Sequence, residues 1–335
     1  RQPIETNLWA LVEAVAGTRR TERLFETVAI PETLLGPWLP RVQLATALAL
    51  LLLEDLLARV PAALAYVRDR GAAGGRILFD HFALRTVKAA SGRLPEGMTA
   101  FTRILEPLGY RLADVYPLDR LAMTGRAFVH RDLPEGVPQV FLSEFHPEGF
   151  GEPFRAAVAR TLASSRDPLP LWAHTLLEEL RSSGALVHDQ AVRLLPNLVA
   201  CFGRQHDEPL LEDHRLLLAE SAEMAWIATE GNACNHVTDR VADVEAVARE
   251  QRALDRPMKE QVEVSASGRV LQTAFRAARV ERLLRGADGH LRSAELPGSF
   301  FEFITRKPLA DGRLDLTFDT GNATAIFKMT AAEGR

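Results

Sequence analysis

The sequence predicts an α+β fold made of two βαβββ modules, with a helical region ahead of the first and a helical insertion between them. Three observations carry this reading. Residues 75–150 are patterned as strand, helix, strand, strand, strand. Residues 230–330 repeat that order, although no sequence identity links the two runs. Residues 1–70 and 151–225 instead space their apolar positions at three and four, the period of a helix buried along one face. The parts are expected to form a single domain over residues 1–335.

The elements follow in order. Leu8, Leu11, Val12 and Val15 share a helical face within 7–16. Residues 41–70 continue as a long helical pattern that Pro61 kinks or breaks, because proline lacks an N–H and clashes with the preceding turn. Gly71, Gly74 and Gly75 end it, and a strand is expected over 76–87. A helix over 98–108 stops at Gly109. Strands are then expected at 110–116, 121–130 and 137–145. The insertion reads as helices over 154–163, 170–181, 189–202 and 210–224. The second module reads as a strand near Asn235–Thr238, a helix over 241–254 and a strand over 262–267. Residues 271–284 read as two strands or one bent strand, and 299–306 as an aromatic-rich strand. Short elements are expected at 314–319 and 325–329.

Composition excludes several classes. At 47% hydrophobic and 25% charged residues, the chain is ordinary globular protein. A net charge of −4 gives no reason to expect nucleic acid or an anionic membrane surface as partner. The apolar run Leu44–Leu53 is shorter than the ~20 residues a bilayer span takes, and it reads as a buried helix. Cys201 and Cys234 have neither metal-type spacing nor the look of a disulfide framework. With no signal peptide visible, a reducing cytoplasm is the expected compartment.

The chemistry is expected on strands. In 76–87 side chains alternate, so His81, Ala83 and Arg85 share one face while Asp80, Phe82 and Leu84 take the other. An arginine on a half-buried strand needs an anion, either a structural carboxylate or a ligand. Glu302 sits between Phe301 and Phe303, where an isolated charge is expensive to bury. It needs a metal or another partner, or else it titrates neutral; Arg306, on the same face, is the structural candidate for partner. His236, between Asn235 and Thr238, is either a third ligand or part of a capped turn. Two histidines and a carboxylate from separate strands make a facial triad with open positions, a set suited to non-haem Fe(II). His146 is a loop histidine or a lid residue near the site, and His130-Arg131-Asp132 matches a kinase loop in three letters only. His174, His188, His206, His214 and His290 are expected in solvent. Gly149-Phe150-Gly151 lacks the rest of a dinucleotide fingerprint.

Four segments resemble the 2-oxoadipate dioxygenase/decarboxylase (hydroxyglutarate synthase) family, which is related to the vicinal-oxygen-chelate superfamily. They are Phe79-Asp80-His81-Phe82-Ala83-Leu84-Arg85-Thr86, Val140-Phe141-Leu142-Ser143-Glu144, Asn235-His236-Val237-Thr238 and Phe301-Glu302-Phe303-Ile304-Thr305-Arg306. Thr305 stands where glutamine is expected. The resemblance spans about residues 75–330. It implies that the modules pair into a curved mixed sheet around a metal site, with Fe(II) held by His81, His236 and Glu302. It implies Arg85 as the catalytic and substrate-binding cation, with Glu144 also on the substrate. The implied partners are a small 2-oxo acid and O2, and the implied reaction turns 2-oxoadipate into 2-hydroxyglutarate and CO2. Two other readings stay open: another metalloenzyme of the superfamily (isomerase, lyase or ring-cleaving dioxygenase), or a non-enzymatic ligand-binding protein.

Overall fold

The computed structural model describes residues 7–31 and 38–319. The N-terminal region holds helices α1 (Asn7–Ala16) and α2 (Thr18–Thr27), a short strand β1 (Trp38–Pro40), and helices α3 (Arg41–Arg59) and α4 (Pro61–Ala72). Pro61 begins α4 rather than kinking one long helix, because its missing N–H costs nothing in a first turn. Leu44–Leu53 lies inside α3 with every residue buried, so this stretch of the helix is buried on all sides. No helix among the described residues is long and apolar enough to cross a membrane.

The first module comprises β2 (Phe79–Val87), α5 (Thr99–Leu105), β3 (Tyr110–Leu118), β4 (Met123–His130) and β5 (Gln139–Phe145). The insertion contains α6 (Glu152–Leu162), α7 (Leu171–Ser183), β6 (Ala185–Val187), α8 (His188–Ala200), α9 (Leu211–Glu220) and α10 (Ala222–Glu230). Here β6 interrupts the expected all-helical block by pairing with β1. The second module runs β7 (His236–Arg240), α11 (Val244–Ala253), β8 (Glu263–Val264), β9 (Val270–Ala274), β10 (Arg279–Arg285), β11 (Leu291–Pro297) and β12 (Phe300–Arg306).

Eight strands form one curved mixed sheet in the order β3-β4-β5-β2-β7-β12-β9-β8. In each module the first and last strands pair in parallel, β2 with β5 and β7 with β12. The modules meet where β2 runs antiparallel to β7. The first strands of both modules therefore lie side by side at the centre of the sheet. Phe82, Leu84, Val140, Leu142, Phe301 and Phe303 pack into the same core as α1, α3 and α8. Ala83, Phe141 and Phe145 pack on the other face with α6 and α10.

Several expectations are corrected. Residues 271–284 are two strands in different sheets, with β9 in the large sheet and β10 in a separate hairpin with β11. The strand expected over 262–267 shrinks to two residues. His206 and His214 are buried rather than solvated; Nε2 of His206 lies 2.9 Å from the Ala228 carbonyl oxygen. Around 314–319 only Leu314 makes a bridge, to Pro308. Residues 325–329 lie outside the described residues. Asp80 departs from strict alternation. The β2–β7 register slips between Phe79 and His81, and this bulge turns Asp80 toward His81.

Candidate metal centre

Register alone gathers the three expected ligands. On β7, Thr238 pairs laterally with His81 of β2 and with Glu302 of β12. His236 lies two residues before Thr238, so its side chain leaves the same face of the sheet. The result is a triangle. Nε2 of His81 is 3.4 Å from Nε2 of His236 and 3.8 Å from Oε1 of Glu302. Nε2 of His236 is 3.6 Å from Oε2 of Glu302. Ligand atoms ~2.1 Å from a shared cation at right angles stand about 3 Å apart, so a small contraction completes a cation site.

The electrostatics fit a cation. All three side chains are buried. Burial lowers the His81 imidazole against the pull of Asp80, and burial lowers His236 further, helped by His81 and Arg85. Both rings are thus neutral, the form that ligates metal. Burial first, and then the Asp80 charge, push the Glu302 carboxyl up to about 8. The Thr238 hydroxyl goes to Nε2 of His81 at 3.1 Å, and neither Glu302 oxygen has a hydrogen-bond partner among the described residues. Two orphaned carboxylate oxygens facing two neutral imidazoles are what a divalent cation would satisfy.

Each histidine is braced by the residue before it. Asp80 Oδ1 lies 2.8 Å from Nδ1 of His81. A carboxylate only accepts, so Nδ1 carries the proton and Nε2 is left unprotonated toward the triangle, where it accepts from the Thr238 hydroxyl. The Asn235 amide lies 3.0 Å from Nδ1 of His236, while its Oδ1 has no partner. Exchanging the two ends of that amide puts Oδ1 on Nδ1–H and frees Nε2 in the same way. Burial pushes the Asp80 carboxyl up, but Arg306 and His81 outweigh it and hold Asp80 well below the usual range. Arg306 therefore pairs with Asp80 at 3.0 Å and not with Glu302.

The triangle forms one wall of a small, part-enclosed cavity. Ala83, Phe141 and Phe318 supply its apolar part, and Ser143, Asn235 and Gln272 its neutral polar part. Arg85 and Glu144 do not line it. The Arg85 guanidinium is buried beyond Ala83, 4.7 Å from the centre of the Trp226 ring. Burial lowers it to about 10 against the pull of Glu223, so it stays a cation at neutral pH. Glu144 accepts the Met98 N–H at 2.6 Å and meets Arg126 at 3.2 Å. His146 stays in the loop after β5, 2.8 Å from the Thr124 hydroxyl. His130 is buried with Nε2 2.9 Å from the Leu108 carbonyl oxygen. Sequence reasoning missed Phe318 and Gln272. Gln272 was legible in principle, since it shares a strand face with buried Val270 and Ala274 on β9. Phe318 lies in an irregular segment, where no period exists to assign a face.

Comparison with curated proteins gives no match. Solved structures do match. A glyoxalase-superfamily protein of Ralstonia eutropha JMP134 is 52% identical with a TM-score of 0.91, over 94% of this chain and 99% of that one. Hydroxyglutarate synthase of Oryza sativa, crystallised with 2-oxoadipate, is 17% identical with a TM-score of 0.68, over 91% and 99%. The synthase of Pseudomonas putida, also with 2-oxoadipate, is 18% identical with a TM-score of 0.58, over 88% and 74%. At those identities the two synthases establish a shared fold. The sequence itself matches the model of one family across residues 41–327, a stretch that contains all three residues of the triangle and every strand of the large sheet. This chain belongs to the 2-oxoadipate dioxygenase/decarboxylase family.

Proposed function

We propose that the chain is an Fe(II)-dependent dioxygenase/decarboxylase that converts 2-oxoadipate, or a close 2-oxo acid, to the 2-hydroxy acid one carbon shorter. The observation that carries this reading is the buried His81–His236–Glu302 triangle in the wall of a small cavity. The family's description and the synthases crystallised with 2-oxoadipate support the choice of substrate class.

Fe(II) on those three residues would supply a redox centre for O2 and a Lewis acid for the carboxylate and keto oxygens of the substrate. The reaction balances without another reductant. One atom of O2 enters the carboxylate left after CO2 departs, the other becomes the hydroxyl, and the substrate provides all the electrons.

The protein's part is orientation, charge and exclusion of water. Asp80 and Asn235 fix the planes and tautomers of the two imidazoles. Ala83, Phe141 and Phe318 keep solvent from the open side of the triangle. Ser143 and Gln272 offer neutral polar contacts along the substrate chain. Arg85 sets a positive potential at the end of the cavity beyond His236 and draws a substrate carboxylate there. Glu144 acts indirectly, by holding the Met98 turn beside β5.

The test is anaerobic reconstitution with Fe(II), followed by an oxygen-electrode assay with 2-oxoadipate. Equimolar O2 uptake, CO2 release and 2-hydroxyglutarate are expected. Turnover without O2 would instead place the chain among isomerases or lyases. Failure to retain stoichiometric Fe(II) would leave a ligand-binding protein.

A further inference from the structure

Behind His81 lies a second buried charged cluster, one that ligation alone does not require. Arg306 closes β12 four residues after Glu302, and its side chain is 0% exposed. Nε and Nη2 donate to the Asp80 carboxylate at 3.0–3.1 Å. Nη1 donates the other way, to the main-chain carbonyls of Asp315 and Thr317 at 2.7 and 2.8 Å. Asp80 in turn holds Nδ1 of His81 at 2.8 Å. Phe318 closes the ring of contacts. Its centre is 5.1 Å from Cζ of Arg306, and it meets the His81 ring nearly edge-on with centroids 4.9 Å apart.

A dry arginine–carboxylate pair is weak evidence for stability, because apolar replacements are often as stable. What arginine adds here is a planar fork that donates in two directions at once. One side holds the brace of a candidate ligand, and the other holds the main chain of residues 307–319. The remaining ties of that segment are dispersed, among them Arg269 to Asp315, Gln139 to the Leu316 carbonyl, the Phe318 N–H to the Tyr116 hydroxyl, the Leu314 N–H to Glu135 and the Ala266 N–H to Asp319.

We propose that Arg306 is a positioning residue that couples the seating of residues 307–319 over the cavity to the placement of His81. The inference rests on the reading of His81 as a metal ligand. With the segment seated, Phe318 and Asp319 wall the cavity and Asp80 is held against His81. With it lifted, Arg306 loses two carbonyl acceptors and the face of Phe318, and His81 loses its ring neighbour and a firm brace. Seating and metal binding therefore favour each other, and the linkage runs both ways.

Trypsin and Co(II) read the two ends of the linkage in the full chain. Arg313 is exposed within the segment and is followed by Leu314, so cleavage there reports lifting. Saturating Co(II) is expected to slow that cleavage roughly fivefold or more, the usual floor for coupled sites. Cleavage at exposed Arg19 in α2 should not change. Arg306→Lys keeps the charge without the fork; it should weaken Co(II) binding roughly 10- to 100-fold by calorimetry and abolish the protection. A merely structural Arg306 would lower the melting temperature and leave the protection in place. Phe318→Ala touches only a half-buried ring and so tests the same point in a folded protein; it should speed cleavage at Arg313 and weaken Co(II) binding severalfold. If native protein binds Co(II) but shows no protection, or if both variants bind it as native does, the coupling is wrong and the metal site stands. If native protein binds no Co(II), the metal reading and the coupling fall together.

Discussion

Oε2 of Glu302 lies 3.6 Å from Nε2 of His236, and neither Glu302 oxygen accepts a hydrogen bond among the described residues. A buried carboxylate in that position has two ways to lower its energy: bind a cation or bind a proton. Those alternatives compete, and the competition is measurable.

In metal-free protein Glu302 titrates near 8, raised by burial and then by Asp80. Its folded value lies above its unfolded one of about 4.3. Its stabilising contribution is therefore complete below pH 4 and lost as pH rises through 8. The two depressed histidines have the opposite sign, and their contribution is complete once pH exceeds about 6.5. Between pH 7 and 8 the Glu302 loss should dominate, before the raised Cys201 and Cys234 thiols add a loss of the same sign, and its slope is at most about 1.4 kcal/mol per pH unit. Denaturant midpoints in chelator should fall across that window in native protein and stay flat in Glu302→Gln. A Gln variant with the native slope would assign the loss to another group.

Metal should reverse that trend, because the cation replaces the proton. At a hundred times its dissociation constant, Co(II) or Fe(II) should stabilise native protein by about 2.7 kcal/mol. His81→Ala and His236→Ala should lose most of this gain and all turnover. Thermal melts with and without metal check it; stabilisation of either variant to the native extent would move the cation elsewhere.

Arg85 carries a different expectation. It is buried beside His236 but is not part of the triangle. Arg85→Ala should keep its metal and lose the positive potential that draws a substrate carboxylate. A roughly tenfold fall in kcat/KM is expected, carried mainly by KM. Full kinetics together with metal content decide it, and native kinetics in the variant would remove Arg85 from substrate binding.

Much of this was legible in the sequence, for a reason particular residues show. His81, Ala83 and Arg85 alternate cleanly with Phe82 and Leu84, so period two assigned their faces. Glu302 between two phenylalanines announced a buried charge that needed a partner. Asp80 was misassigned because a bulge breaks the period, and bulges leave no composition signal of their own. The Arg306–Asp80 pair spans 226 positions, a separation local patterning does not encode. The β10–β11 hairpin was half missed, although Asp288-Gly289 with Gly289 at positive φ marks its turn.

The last expectation concerns the far face of the sheet. The Tyr66 hydroxyl of α4 donates to Oδ2 of Asp239 on β7 at 2.6 Å, and Oδ1 accepts the Leu78 N–H at 2.8 Å. Burial raises the Asp239 carboxyl to about 6, and these two donors restrain the rise. Tyr66→Phe strands one buried oxygen, which costs about 1–3 kcal/mol. The cost should be larger at pH 8, where Asp239 is ionised, than at pH 5, where a proton takes the place of the lost donor. Tyr66 packs against Phe301 and Phe303 in the helical core, away from the Glu302 side of β12. Activity at pH 7.5 should therefore stay within about twofold while stability falls. Paired unfolding curves at the two pH values check the sign, and an equal loss at both would show that Tyr66 does not control the Asp239 proton.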